Sequence, residues 1–245
     1  MTVLRTLPDT LERSAGADAG YCFVRGDGER RCSYAELQQA ALRTGGSLRA
    51  AGLGRGDLVG LVLPDAEQFL TTLFGASIAG LIPASIYPPS TTSDLPRYFE
   101  LTAAILRASG ARALVTSRAL AASFEEVRRL CPDLSQILCI ESFDGPAMEP
   151  DWRPSLDDIA FVQFTSGSTS SPKGVALTHA NVSANIQAFL HERVASYKVP
   201  KRVLFFDDGD IPMTTSATKV RDDALVALVT DRLATEPVHT NAGDR

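Results

Sequence analysis

The chain has 245 residues, 44% of them hydrophobic and 22% charged, with a net charge of −5. This is globular composition, long enough for one or two domains whose cores need neither disulfides nor metal. Acidic and basic residues are interspersed, which excludes the basic block of a nucleic-acid binder and the polybasic patch of a membrane-surface protein.

The N-terminal stretch MTVLRTLPDTLERSAG has no long apolar run, so no secretory signal is expected there. The first element with clear boundaries begins at Ser33. Ser33 with Glu36 three residues on forms a capping box, and Leu37, Ala40, Ala41, Leu48 and Ala51 follow at helical spacing until Gly52. Leu58 to Leu63 reads as a buried strand ended by Pro64. A helix then starts at Asp65, and a short strand in LIPASIYPP closes at Pro88 and Pro89. PRYFELTAAILRASG is helical with Gly110 at its end, ARALVTS is a strand, SFEEVRRLC is helical and SQILCI is a strand. The apolar run from Leu73 to Ile86 is broken by Gly75, Gly80 and Pro83, so no membrane span is expected. A cytoplasmic protein follows as the expectation.

Strands alternate with helices from Ser33 to Ile140, and the strands are almost continuously apolar. The pattern predicts an α/β fold, a largely parallel sheet layer with flanking helices on both faces and right-handed crossovers. Glu141 to Asp158 breaks the alternation with prolines and acids and reads as a surface loop, in which Trp152 is a packing anchor. The cysteines (Cys22, Cys32, Cys131, Cys139) form no C-x-x-C pair, and His179, His191 and His239 do not cluster with them. Four reduced, partly buried thiols and no metal site are expected.

Asp158 to Phe164 reads as a buried strand, and VALTH as a second. Between them lies TSGSTSSPKG, which is not the nucleotide-binding P-loop, because a strand rather than a helix follows and Lys173 precedes its glycine. Its chemistry nevertheless suits phosphate. Gly167 and Gly174 permit close backbone approach, and successive N–H groups in a tight turn form an anion-binding concavity. Thr165, Ser166, Ser168 and Thr169 add hydroxyls, and Lys173 adds a point charge.

Phe164 to Gly174 closely resembles the phosphate-binding motif of the adenylate-forming enzymes, departing only where Ser170 replaces a glycine. RCSYAEL and GLVLPDAEQFLTTLFGASIAGLIPASIYPP resemble earlier signatures of that superfamily, and IYPPS with Gln163 is most like its fatty acyl-AMP ligase branch. The resemblance implies ATP and Mg2+ as cofactors, with Thr165, Ser166, Gly167, Ser168, Thr169, Lys173 and Gly174 binding the nucleotide. It also implies a fatty acid or other carboxylate as substrate, and coenzyme A or an acyl-carrier protein as thiol acceptor.

The superfamily's central region has no counterpart here: neither an aromatic-Gly-x-[ST]-E adenine segment nor a Thr-Gly-Asp ribose motif occurs. Instead LHERVASYKVPKRVLFFDDGDIPMTTSATKV resembles the family's extreme C-terminus. There Lys219 corresponds to a catalytic lysine, or is a surface lysine that starts a helix. Lys173 and Lys219 are thus the candidate catalytic residues, with no metal ligands. Residues 1–190 read as a partial AMP-binding N-terminal domain, 191–234 as a remnant of the small C-terminal domain, and 235–245 as a flexible tail. Three readings stay open: a shortened acyl-activating ligase, an inactive remnant that binds nucleotide or a partner, and an amino-acid adenylation fragment of a peptide synthetase. Joining two ends of a longer enzyme would leave an apolar patch exposed, which predicts an oligomer or poor solubility.

Overall fold

Ser33 opens the first long helix as its spacing to Glu36 predicts. The Ser33 hydroxyl accepts from the Glu36 N–H at 3.1 Å, and the Glu36 carboxylate accepts from the Ser33 N–H at 2.7 Å. The helix α2 then runs from Tyr34 to Ala50, and Gly52, at φ +83°, turns the chain out of it. In the same way the Asp65 carboxylate caps α3 (Ala66–Ile78), and Asp94 caps α4 (Leu95–Ser109), which Gly110 ends in the left-handed conformation. The computed structural model describes residues 4–26, 28–89, 94–165, 172–191, 204–205, 224, 227 and 230.

The main sheet contains β3 (Leu58–Val62), β4 (Ile82–Ser85), β5 (Ala113–Thr116), β6 (Gln136–Cys139), β7 (Ile159–Thr165) and β8 (Lys173–Thr178). Their order is β6-β5-β3-β4-β7-β8; every neighbouring pair is parallel except β7–β8, an antiparallel hairpin. The α/β fold with a largely parallel sheet and flanking helices is therefore as expected. Between β5 and β6 the helical segment is broken into α5 (Arg118–Ala121), a single 3-10 turn and α6 (Glu125–Arg129).

Alternation along the strands feeds two cores. Val59, Leu61, Ala113 and Val115 pack with Leu48, Ala76 and Ala79 of the α2–α3 side. Val62 and Leu114 face the other way, toward Ala103 and Leu106 of α4, Phe124, and Val127 of α6. The chain thus leaves β3 for one face of the sheet and leaves β4 for the opposite face.

An N-terminal layer lies outside the sequence expectation, which began at Ser33. It consists of α1 (Leu7–Ser14) and the hairpin of β1 (Gly20–Arg25) and β2 (Gly28–Ser33). Arg25 reaches Asp65 at 2.7 Å and Glu67 at 2.9 Å, and Arg30 reaches Glu67 at 2.9 Å, tying the hairpin to the start of α3. The two-residue strand β9 (Leu204–Phe205) adds to β1 in parallel. Most of the segment 191–234 and all of the 235–245 tail lie outside the described residues.

The loop after β6 packs more closely than a mere surface connection. Met148 donates its N–H to the Leu42 carbonyl at 3.1 Å and joins the α2–α3 core. Trp152 lies against Gly80, with the Arg55 guanidinium 4.2 Å from its ring centroid, so it anchors the loop as expected. None of the four cysteines forms a disulfide; burial raises the pKa of Cys32 and Cys131. Among the described residues no helix is long and apolar enough to cross a membrane, and no His, Cys, Asp or Glu cluster could hold a metal.

Helices α2 and α3 cross at Gly75. A Cβ there would stand 2.8 Å from the Ala41 carbonyl oxygen and 2.8 Å from the Thr44 Cβ. Helix propensity alone would make Gly75→Ala stabilising by about 1 kcal/mol. The backbone collision should outweigh that gain, since overpacking costs roughly 1–3 kcal/mol. Urea unfolding of Gly75→Ala should therefore give a lower stability than the parent; an increase would show that the helices separate freely.

Candidate functional site

Strand β7 carries the chain to the carboxyl end of the sheet, where the phosphate-type loop begins. It is a central strand, paired with β4 on one side and β8 on the other. Across the hairpin Thr165 stands opposite Lys173, and Phe164 opposite Gly174. Lys173 is exposed and is the first residue of β8, so its charge lies at the mouth of the loop that Thr165 opens.

Gly174 has a packing reason as well as the chemical one read from the sequence. A Cβ at this position would lie 3.0 Å from the Phe164 ring and 3.2 Å from a Val162 methyl. The ring of Phe164 therefore fills the place of the missing side chain and holds the two strands close at the loop's base. Ser166, Gly167, Ser168 and Thr169 lie outside the described residues, as does Lys219. The fold thus brings Thr165, Lys173 and Gly174 together.

The carboxyl end of β4 lies beside this hairpin, and Tyr87 follows that strand with 68% of its surface exposed. Its carbonyl accepts a 3.0 Å hydrogen bond from the Tyr98 hydroxyl. Tyr98 sits against Phe99 and Phe124, and burial pushes its phenol up to about 12. Sequence reasoning assigned Tyr87 no role; the signal was an aromatic followed by two prolines at a strand end.

Beyond β8, helix α7 (His179–His191) is locked at its start. The His179 N–H donates to the Asp158 carbonyl at 3.0 Å, and the Ala180 N–H to the Leu156 carbonyl at 2.8 Å. His179 is 2% exposed, and its Nδ1 accepts from the Leu7 N–H at 3.2 Å. The Ser183 hydroxyl accepts from the Arg5 N–H at 3.2 Å. The N-terminal segment therefore straps the helix that follows the phosphate-type hairpin.

Because Nδ1 is an acceptor, the neutral imidazole carries its proton on Nε2. Burial lowers the His179 pKa below its ordinary value of 6.5, with the nearby Asp158 and Asp9 carboxylates opposing that shift. The unfolded chain consequently takes up this proton at a higher pH than the folded one. Stability is full above pH about 6.5 and declines as the pH falls from there toward the folded value. Asp158, Glu12 and Glu36, whose carboxyls are lowered by hydrogen bonds, lose their contributions only in the acid range below 4.5. Urea melts at pH 7.5 and 5.5 should show a loss of stability that His179→Gln largely removes; parallel slopes for the two proteins would contradict this.

At the opposite end of the sheet, a cavity of about 210 Å³ opens between Arg55, Trp152, Asp158 and His179. It lies at the amino ends of β3, β4 and β7, away from the Lys173 hairpin. The candidate site is thus the carboxyl end of the sheet, where the exposed Lys173 meets the end of a central strand. This arrangement suits a polyanion such as a nucleotide triphosphate.

Comparison with known proteins agrees with this chemistry. A family model described as AMP-binding enzyme matches residues 11–207. A 4-coumarate–CoA ligase 3 of Oryza sativa subsp. japonica is 29% identical, over 71% of this chain and 32% of its own. Phosphinothricin tripeptide synthetase PhsC of Streptomyces viridochromogenes is 32% identical, over 74% of this chain and 16% of its own. Among solved structures, one from a study of fatty acyl-adenylate ligases from E. coli and L. pneumophila superposes with a TM-score of 0.70 at 26% identity. That match covers 78% of this chain and 35% of the other. The chain spans about a third or less of the length of these relatives.

Proposed function

Because the chain belongs to the AMP-binding enzyme family, we propose that it activates a carboxylic acid by adenylation, with ATP and Mg2+, for transfer to the thiol of coenzyme A or a carrier protein. The observation that carries this reading is the placement of Lys173 opposite Thr165 at the carboxyl end of a central strand. In this reading the triphosphate lies on the segment from Thr165 to Gly174. A carboxylate oxygen attacks the α-phosphorus, the bond to the leaving pyrophosphate breaks, and an acyl adenylate forms. Lys173 holds the phosphates in line and offsets the charge that builds on their oxygens. Lys219 is the second cation proposed for that role, and Ser166, Gly167, Ser168 and Thr169 supply the remaining donors.

A fatty acid is the proposed substrate class, supported by the likeness to the fatty acyl-adenylate ligase structure. The likeness to a tripeptide synthetase makes an amino acid the competing acid. Residues 1–190 are proposed as the partial AMP-binding domain and 191–234 as a C-terminal remnant. The test is to incubate the protein with ATP, magnesium, hydroxylamine and either a fatty acid or a set of amino acids. Hydroxamate and pyrophosphate should appear with the fatty acid; hydroxamate with amino acids alone would move the substrate class.

The lack of an aromatic-Gly-x-[ST]-E segment and of a Thr-Gly-Asp motif in residues 175–245 favours a second reading, a protein that binds nucleotide or a partner without turnover. Saturable ATP binding with no hydroxamate from any acid would select it.

A further inference from the structure

Tyr87 is more exposed than any other large hydrophobic side chain among the described residues. Its position is fixed by the sheet. Strand β4 pairs with β7 so that Ala84 faces Val162 and Ser85 faces Gln163. The Ile86 N–H still donates to the Leu61 carbonyl at 3.0 Å, so strand geometry persists beyond Ser85. Tyr87 follows two residues after Ser85 and so lies at the same carboxyl end of the sheet as Thr165, the last residue of β7.

Two features hold the backbone there. The Tyr98 hydroxyl donates to the Tyr87 carbonyl at 3.0 Å, and Tyr98 is itself wedged against Phe99 and Phe124. Pro88 and Pro89 follow and restrict the chain's direction. The ring is therefore presented from a stiff support rather than from a free loop.

The location is also where a parallel sheet takes its ligand. Strands β3 and β4 are neighbours whose following helices pack on opposite faces. Ligands bind in the crevice outside the carboxyl ends of strands at such a reversal. A polyanion held at Lys173 would extend its organic part over this end of the sheet, and an exposed phenol offers a flat apolar face to a heteroaromatic base.

We propose that Tyr87 is the stacking platform for the purine base of the nucleotide whose phosphates lie at Lys173. This rests on the phosphate-binding role of the hairpin proposed above. Stacking of a base on an aromatic side chain is sequence-tolerant and strong enough to matter, so removing the ring should weaken nucleotide binding roughly ten-fold or more.

The experiment is a calorimetric titration of the full chain with ATP and, separately, with inorganic pyrophosphate, each with magnesium. The parent, Tyr87→Ala and Tyr87→Phe are compared. Tyr87→Ala should lose affinity for ATP and keep its affinity for pyrophosphate, and Tyr87→Phe should bind both as the parent does. Thermal melting should be unchanged in both variants, because the side chain is exposed. As a second readout, the indole in Tyr87→Trp should change its fluorescence on adding ATP and not on adding pyrophosphate. A parent that binds both ligands beside a Tyr87→Ala variant with undiminished ATP affinity overturns the platform alone. Equal weakening for both ligands overturns it as well. A parent that binds neither ligand overturns the phosphate role of the hairpin, and the platform with it.

Discussion

Replacing Lys173 by alanine should lower acyl-adenylate formation by about a hundred-fold to a thousand-fold, the usual effect of deleting a group that meets developing charge. Lys173 opens β8 at the loop mouth, opposite Thr165, with its side chain at the surface. Its cost in folding should be small, because exposed lysines contribute little to stability. A purely solvated lysine would instead leave turnover within about two-fold of the parent. Lys173→Arg discriminates further. A guanidinium keeps the charge and changes the geometry, so it should restore part of the binding and less of the rate. The assay is hydroxamate formation at saturating acid, read alongside ATP affinity so that binding and chemistry separate.

Phe124→Ala should be the most destabilising single change in the α4 face of the sheet. The ring is fully buried, with its centroid 5.3 Å from that of Phe99 in an edge-to-face arrangement and 6.4 Å from that of Tyr98. Truncating a buried phenylalanine costs roughly 3–5 kcal/mol, against a total stability of about 5–15 kcal/mol for a domain. The melting temperature should fall on the order of 10 °C. The effect should also reach the carboxyl end of the sheet, because Phe124 supports Tyr98 and Tyr98 holds the Tyr87 carbonyl. Phe124→Leu, which keeps much of the volume, should recover most of the loss; equal damage by both would show that ring geometry rather than filled space is what the site requires.

Local signals were the legible part of the fold. The Ser33–Glu36 box, the Asp65 cap and the Gly110 stop each act within a few residues, and each lies where the sequence places it. The buried parallel strands were equally clear, since both of their faces must be apolar. The hairpin β1–β2 was not, because most of β2 is exposed and shows no apolar alternation. Its pairing with β9 joins segments from opposite ends of the chain, which no local pattern encodes. The site divides in the same way. The Thr165–Gly174 string could be read as phosphate chemistry from its residue types. The strap of Leu7 on His179 spans 172 residues, and the placement of Tyr87 at the same end of the sheet as the β7–β8 hairpin depends on β4 lying next to β7. Both are products of topology, and sequence spacing carries no trace of them.

The central claim is that the hairpin ending β7 grips the triphosphate of ATP through Lys173. Calorimetric titration of the parent chain with ATP in the presence of magnesium tests it most directly. The expected result is saturable binding that Lys173→Ala weakens at least ten-fold. A titration without heat of binding, or an isotherm that the substitution leaves unchanged, would contradict it.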